Sequence, residues 1–333
     1  MSLRIIKHGI ADTIQDTGRY GFQHLGINPG GAMDTIAAQT ANILVGNDVN
    51  DAVIEIHFPA SVVLFTEDAL IALSGADLGA MVNDIYVPIN TPVVIEKNCV
   101  LQFKKIVSGA RCYLSVRGGF DLPQWLNSYS TNTKAAAGGF EGSRLQKEDE
   151  LSFRSSKKYC PALCKNDSAI LNWKADTKEF YPSTNTYRVL AGAEYNWLEE
   201  PSKKLFTGSQ FVISPQSDRM GYRMKGEALS THHSEELISS AVTKGTIQLL
   251  PDGQIIILMA DHQTTGGYPK IGHVIAAEMA GLAQLNAHQS IQFELTDHAT
   301  AENLLLQQHQ HLHQLQNACT FRLKEYLSQH GMD

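Results

Sequence analysis

The stretch Thr246-Ile247-Gln248-Leu249-Leu250, Pro251-Asp252-Gly253, Gln254-Ile255-Ile256-Ile257-Leu258-Met259 constrains the fold most, because a turn tripeptide divides two apolar runs. Pro presets φ and Gly accepts positive φ, so the segment predicts a hairpin with an almost wholly buried second strand. Cys112, Leu114 and Val116 alternate with Tyr113, Ser115 and Arg117, and Ile291, Phe293 and Leu295 alternate with Gln292 and Glu294. This period of two predicts half-buried antiparallel strands, and such signals dominate from about residue 53 onward. The class is mainly β with some α (α+β).

Helical spacing is confined to three places. Ile36, Thr40, Ile43 and Leu44 share a face that ends before Gly46, a C′ residue, and Ile271, Ile275, Met279 and Leu282 form a second stripe. The third runs from about 299 to 329, with Leu305, Leu312, Leu315, Cys319, Leu323 and Tyr326 on one side, to pack on the body or on a partner. Loop chemistry between residues 154 and 186 predicts a boundary, giving an N-terminal lobe 1–165, a C-terminal lobe 166–297 and a helical tail 298–333. Leu73-Ser74-Gly75-Ala76-Asp77 is echoed by Leu190-Ala191-Gly192-Ala193-Glu194, as two related barrels would produce.

The 333 residues allow a sizeable core, and 27 Lys+Arg against 34 Asp+Glu leave a net charge of −7. Nucleic acid and anionic membrane are therefore poor partners. The apolar runs fall well short of the ~20 residues that span a bilayer. The start of the chain shows no secretory h-region, and the five Cys are odd in number, so a reduced, cytoplasmic compartment is expected. No phosphate loop, dinucleotide fingerprint, zinc-protease helix or nucleophile elbow occurs. No metal is expected, because His309, His311 and His313 cannot all share one helix face and Cys160 and Cys164 lack a second Cys pair.

Chemistry concentrates in four loops. Residues 16–22 lead to Gly30-Gly31-Ala32-Met33-Asp34 before the first helix, where backbone N–H groups can meet an anionic oxygen or Asp34 can simply cap the helix. Gly118-Gly119-Phe120, Ser130-Thr131 and Gly138-Gly139-Phe140 supply hydroxyls between glycine pairs, or a chain of edge turns. Ser217-Asp218-Arg219-Met220-Gly221-Tyr222-Arg223 carries two guanidiniums able to clamp a carboxylate or phosphate, or to pair with Asp218 or a carbonyl. Asp261-His262-Gln263-Thr264-Thr265-Gly266-Gly267-Tyr268-Pro269-Lys270 joins a carboxylate, amide and hydroxyls to a glycine pair, as a small polar substrate requires. Asp261 is either a general base or a structural acceptor of loop N–H groups.

These loops, together with Asp16-Thr17-Gly18-Arg19 and Gly245-Thr246-Ile247-Gln248, resemble the KipA family, also described as allophanate hydrolase subunit 2 or biotin-dependent carboxyltransferase-like, across residues 3 to about 297. The chain departs from it at Asn127, where the family's serine-threonine loop usually starts with Gly, at Ala193, where Gly-Pro is common, and at Ser143, where Arg often follows. The resemblance implies two lobes built on cyclophilin-like β-barrels, with a C-terminal helix added. It also implies two partner polypeptides, one KipI-like and one LamB/YcsF-like. Together the three would open 5-oxoproline to glutamate at the expense of ATP, with the ATP-binding member unassigned. Alternatives are carboxyl transfer from carboxybiotin to urea or a related amide, and a non-catalytic binding partner of a KipI-like protein.

Under the lactam reading, Arg219 and Arg223 steady phosphate or substrate carboxylate and Asp261 manages a proton. Gln263, Thr264 and Thr265 orient the lactam, while Gly30-Gly31 and Gly266-Gly267 meet developing negative charge. Asp34, Ser130, Thr131, Gln248 and Tyr268 complete the expected binding set. All are expected to line one shared polar hollow that a sister polypeptide completes.

Overall fold

The apolar runs form strands, and the glycine-rich connections turn between them, in a computed structural model that describes residues 2–154, 168–233 and 237–330. The chain divides into two units: Met1–Arg19, Gly30–Thr177 and Gln310–Asp333 form the first, Tyr20–Pro29 and Lys178–His309 the second. The expected boundary at 165/166, and Cys160 and Cys164, lie outside the described residues.

Two six-stranded sheets build the first unit. One runs β11 (Glu150–Ser152), β1 (Ser2–Lys7), β4 (Val62–Phe65), β9 (Val100–Phe103), β6 (Ala80–Val82), β7 (Ile85–Tyr86). The other runs β12 (Ser168–Ile170), β8 (Pro92–Ile95), β5 (Ala69–Asp77), β10 (Ser108–Val116), β3 (Val53–His57), β2 (Thr13–Gln15). Leu3, Ile5, Phe65 and Leu101 from one sheet share a core with Ile54, Ile71, Leu73 and Leu114 from the other. Each such side chain contributes about 2 kcal/mol by burial.

The expectation of a half-buried strand at 112–117 needs correction, since β10 is buried on both faces from Arg111 to Val116. Cys112, Leu114 and Val116 enter the shared core, while Tyr113 packs under Ala37, Ala38 and Ala41 of helix α1 (Thr35–Val45). That helix begins at Asp34, whose Oδ1 accepts the Ala37 N–H at 2.9 Å, and ends at Gly46 in the left-handed region (φ 73). Helix α4 (His298–Gln329) buries Cys319, Leu323 and Leu327 against Ile43, Leu44, Leu70 and Val94, so its apolar stripe packs on the body of its own chain. No described helix is long and apolar enough to cross a membrane.

In the second unit seven strands close a barrel in the order β13 (Thr186–Ala191), β20 (Lys270–Val274), β17 (Thr246–Leu249), β18 (Ile255–Leu258), β15 (Gly221–Lys225), β14 (Phe211–Ile213), β21 (Ser290–Leu295). The expected hairpin is β17–β18, with Ile247 opposite Ile257 and Gly253 at φ 77 in its turn. Phe206 of helix α2 (Glu200–Gly208) stacks on Phe293, centroids 5.0 Å apart, with Phe211 beside them. A two-stranded ribbon, β16 (Ser240–Ala241) with β19 (Thr265–Gly266), stands apart from the barrel sheet.

Two further expectations differ from the structure. β21 is antiparallel to β14 but parallel to β13, because an odd number of strands, here seven, cannot alternate in direction all the way round a closed barrel. The stripe at Ile271, Ile275, Met279 and Leu282 is not one helix: Ile271 lies in β20, a 3-10 turn spans Ala276–Glu278, and helix α3 is only Met279–Ala283. The echoing pair also differs locally, since Gly75 sits within β5 at φ 89 while Gly192 follows the end of β13.

Candidate functional site

The expected site residues divide between the two units. Gly30, Gly31, Asp34, Ser130 and Thr131 belong to the first; Arg219, Arg223, Gln248, Asp261 and 263–268 belong to the second.

In the first unit the Asp16 carboxylate takes its donors from the chain itself. Asp16 Oδ1 accepts from Gly18 N at 2.8 Å, from Ser128 Oγ at 2.9 Å and from Ser130 Oγ, while Oδ2 accepts from Tyr129 N at 2.6 Å. Arg19, only 1% exposed, donates to the carbonyls of Trp125 and Ser130 at 3.1 and 2.6 Å and lies 4.2 Å from the Trp125 ring centroid. Thr131 Oγ1 donates to the Ile14 carbonyl at 2.9 Å. Gly138 has no room for a side chain, because a Cβ there would strike the Ser130 carbonyl.

At the α1 N-terminus the Met33 N–H donates to Glu55 Oε2 and the Asp34 N–H to Tyr113 Oη, both at 2.8 Å. Burial, with Glu55 and Asp34 nearby, pushes the Tyr113 phenol well above its ordinary value, so it remains a donor to Glu55. Asp34, Ser130 and Thr131 thus each make a side-chain hydrogen bond within the chain itself. Gly30 and Gly31 adopt φ 63 and 88, and a Cβ at Gly31 would meet the backbone of Thr17 and Gly18 at 3.0 Å. Asn127, the departure from the family's Gly, also takes positive φ (59), a conformation that Asn tolerates.

The second unit differs. Arg219 pairs in a fork with Asp261, Nε to Oδ2 at 2.8 Å and Nη2 to Oδ1 at 2.9 Å, and the Asp261 N–H donates to the Arg219 carbonyl at 2.7 Å. The expected base and the expected clamp thus hold each other. Asp218 instead forms a turn, its Oδ1 accepting from Met220 N and Gly221 N.

Beside this pair lies a hollow of about 570 Å³ whose lining includes Asp218, Arg223, Gln248, Asp252, Gln263 and Tyr268. Gln248 is 1% exposed, and its Nε2 has no hydrogen-bond partner. The β17–β20 register slips between Ile247 and Gln248, a bulge that re-aims the side chain. Gly266 lies so close that a Cβ there would come within 2.5 Å of that Nε2. Among the described residues Arg223 has no ion-pair partner. Thr264, Thr265, Gly266 and Gly267 lie in or beside the ribbon, with the Thr264 carbonyl accepting from Val242 N at 3.1 Å.

His262 has a place here that its residue type did not announce. It is 2% exposed and its Nδ1 lies 2.6 Å from the Gln263 carbonyl. Burial pushes it below its ordinary value, so it stays neutral and Nδ1–H donates, fixing Gln263 at the rim. The only sequence signal was its position between Asp261 and Gln263.

The arrangement can therefore present one buried amide donor, one guanidinium and flanking polar groups to a small amide. Comparison with known proteins adds the family model described as carboxyltransferase domain, subdomain A and B, which matches residues 25–295. The chain is 38% identical over 291 residues to the C subunit of 5-oxoprolinase from Escherichia coli K12, covering 87% of this chain and 90% of that one. It is 36% identical over 282 residues to the C subunit of 5-oxoprolinase from Haemophilus influenzae, covering 85% and 87%. The crystal structure of the K. lactis urea amidolyase matches 94% of this chain with a TM-score of 0.85 at 26% identity, and this chain spans 20% of that one.

Proposed function

Because the chain belongs to the carboxyltransferase domain, subdomain A and B, family, we propose that it acts as the C subunit of an ATP-dependent 5-oxoprolinase, a multi-subunit hydrolase opening the lactam of 5-oxoproline to L-glutamate. Support comes from the near full-length similarity to two proteins of that name. The observation that carries the reading is the buried, unpartnered Gln248 Nε2 at the hollow. An amide donor left without a partner at such burial costs about 1–3 kcal/mol, a cost that a bound carbonyl would remove.

The lactam carbonyl accepts from Gln248 Nε2, the substrate carboxylate pairs with Arg223, and Gln263 and Tyr268 bound the ring. The Gln248 bond strengthens as the carbonyl oxygen gains negative charge, so it assists activation as well as binding. The Arg219–Asp261 fork fixes the loops that carry these groups. One guanidinium beside two carboxylates, Asp218 and Asp252, suits a single carboxylate and fits a triphosphate poorly. ATP is accordingly assigned to the complex, at a site other than this hollow. The partners are one KipI-like and one LamB/YcsF-like polypeptide, and the compartment is the cytoplasm, in keeping with the buried thiols of Cys112 and Cys319, neither of them in a disulfide.

Purified subunits mixed with 5-oxoproline and ATP test this: glutamate should appear only when this chain is present. Undiminished turnover without it would leave the chain a binding role at most. The likeness to urea amidolyase favours a second reading, carboxyl transfer from carboxybiotin to a urea-like amide at the same hollow. Urea-dependent consumption of carboxybiotin, with no response to 5-oxoproline, would select it.

A further inference from the structure

Gln248 faces Lys270 across the bulge between β17 and β20. The Lys270 side chain leaves the barrel: its Nζ donates to Ser240 Oγ of the ribbon at 2.6 Å and lies 3.6 Å from Glu194 Oε2. The same Glu194 oxygen accepts the Lys270 N–H at 2.8 Å, and the Glu194 N–H donates to the Lys270 carbonyl at 3.1 Å. Gly192 makes this approach possible, since a Cβ there would strike the Lys270 carbonyl. Glu194 and Lys270 are thus joined through backbone and side chain, with side chains 13% and 19% exposed.

The ribbon itself is short. Ser240 pairs with Gly266 and Ala241 with Thr265, and the Val242 N–H reaches the Thr264 carbonyl. Two paired positions do not make an independently stable ribbon, so it needs an external tie. It carries Gly266, which sits against the Gln248 amide, and runs on into Tyr268 at the hollow.

We infer that Lys270 is a positioning residue, anchored by Glu194, that holds the 240–242 and 264–266 ribbon against Gln248 and so sets the geometry of the hollow. Its effect on substrate rests on the proposed 5-oxoprolinase reading, whereas its effect on the ribbon does not. Lys270→Met retains the stem and removes the charge; Lys270→Arg retains the donor.

Hydrogen exchange on the full chain reads the first effect. Amides of residues 240–242 and 264–266 should exchange about tenfold faster in Lys270→Met, with β18 and β21 unchanged, and return toward the parent rate in Lys270→Arg. In the reconstituted complex, KM for 5-oxoproline should rise about tenfold with kcat falling less, again restored by Lys270→Arg. If Lys270→Met fails to fold, Ser240→Ala, which removes only the exposed end of the tie, should give the same exchange pattern more weakly. Unchanged ribbon exchange in a folded Lys270→Met protein overturns the inference. Faster ribbon exchange with unaltered kinetics supports the tie and instead counts against the hollow as the 5-oxoproline site.

Discussion

The Asp16–Arg19–Ser130 cluster of the first unit and the Gln248 hollow of the second are built from the same vocabulary: glycine pairs, hydroxyls, an Arg and an Asp. In the first, Asp16 accepts from Gly18, Ser128, Tyr129 and Ser130. In the second, a buried amide nitrogen is left without a partner beside a cavity. Residue type does not separate framework from site. What separates them is that the Asp16 carboxylate has its donors within the chain, whereas the Gln248 amide nitrogen, beside a cavity, has no acceptor.

That contrast predicts opposite responses to substitution. The largest stability loss should follow Asp16→Ala, which strands two serines and two backbone N–H groups. Denaturant unfolding should show a loss of roughly 3 kcal/mol or more, the scale of a broken buried hydrogen-bond network. A loss under about 1 kcal/mol would mean the first cluster is not a framework element. Arg219→Met should cost less, about 2 kcal/mol, because it leaves Asp261 unpaired at a site still in partial contact with water. Adding Asp261→Asn should recover part of it, and full additivity would argue against the fork.

The pH response is the gentlest test. Burial holds His262 and His273 below their ordinary value of 6.5. As pH falls through 6.5 toward their folded values the unfolded chain takes up protons that the fold refuses, so stability is lost on acidification. Asp12 has the opposite sign: burial raises its carboxyl above 3.8, so protonation between that value and its folded one favours the fold. Unfolding followed from about pH 7.5 downward should show a shallower loss in His262→Gln than in the parent chain. Equal slopes would remove His262 as a neutral buried donor.

The hairpin at 246–258, the capped helix α1 and the long α4 were legible because each rests on local chemistry: a Pro-Asp-Gly turn, the Asp34 cap with Gly46, and sustained apolar spacing. The stripe through Ile271 misled because a spacing of four residues is also even, and so fits one face of a strand as well as a helix. Burial of both β10 faces depends on α1 covering Tyr113, a contact between segments far apart in the chain. The Arg219–Asp261 fork joins residues 42 apart in sequence and could not be separated from pairing with the adjacent Asp218. Gln248 could be named as a candidate from the sequence, but its open amide is a property of packing alone.

The most direct test replaces Gln248 by Leu, of similar volume and without the amide. Removing an unsatisfied buried donor should leave the unfolding free energy unchanged or slightly raised. In the reconstituted complex, 5-oxoproline-dependent glutamate formation should fall about 100-fold, the scale of one lost donor to a developing oxyanion. A stable Gln248→Leu protein with parent activity would contradict the account.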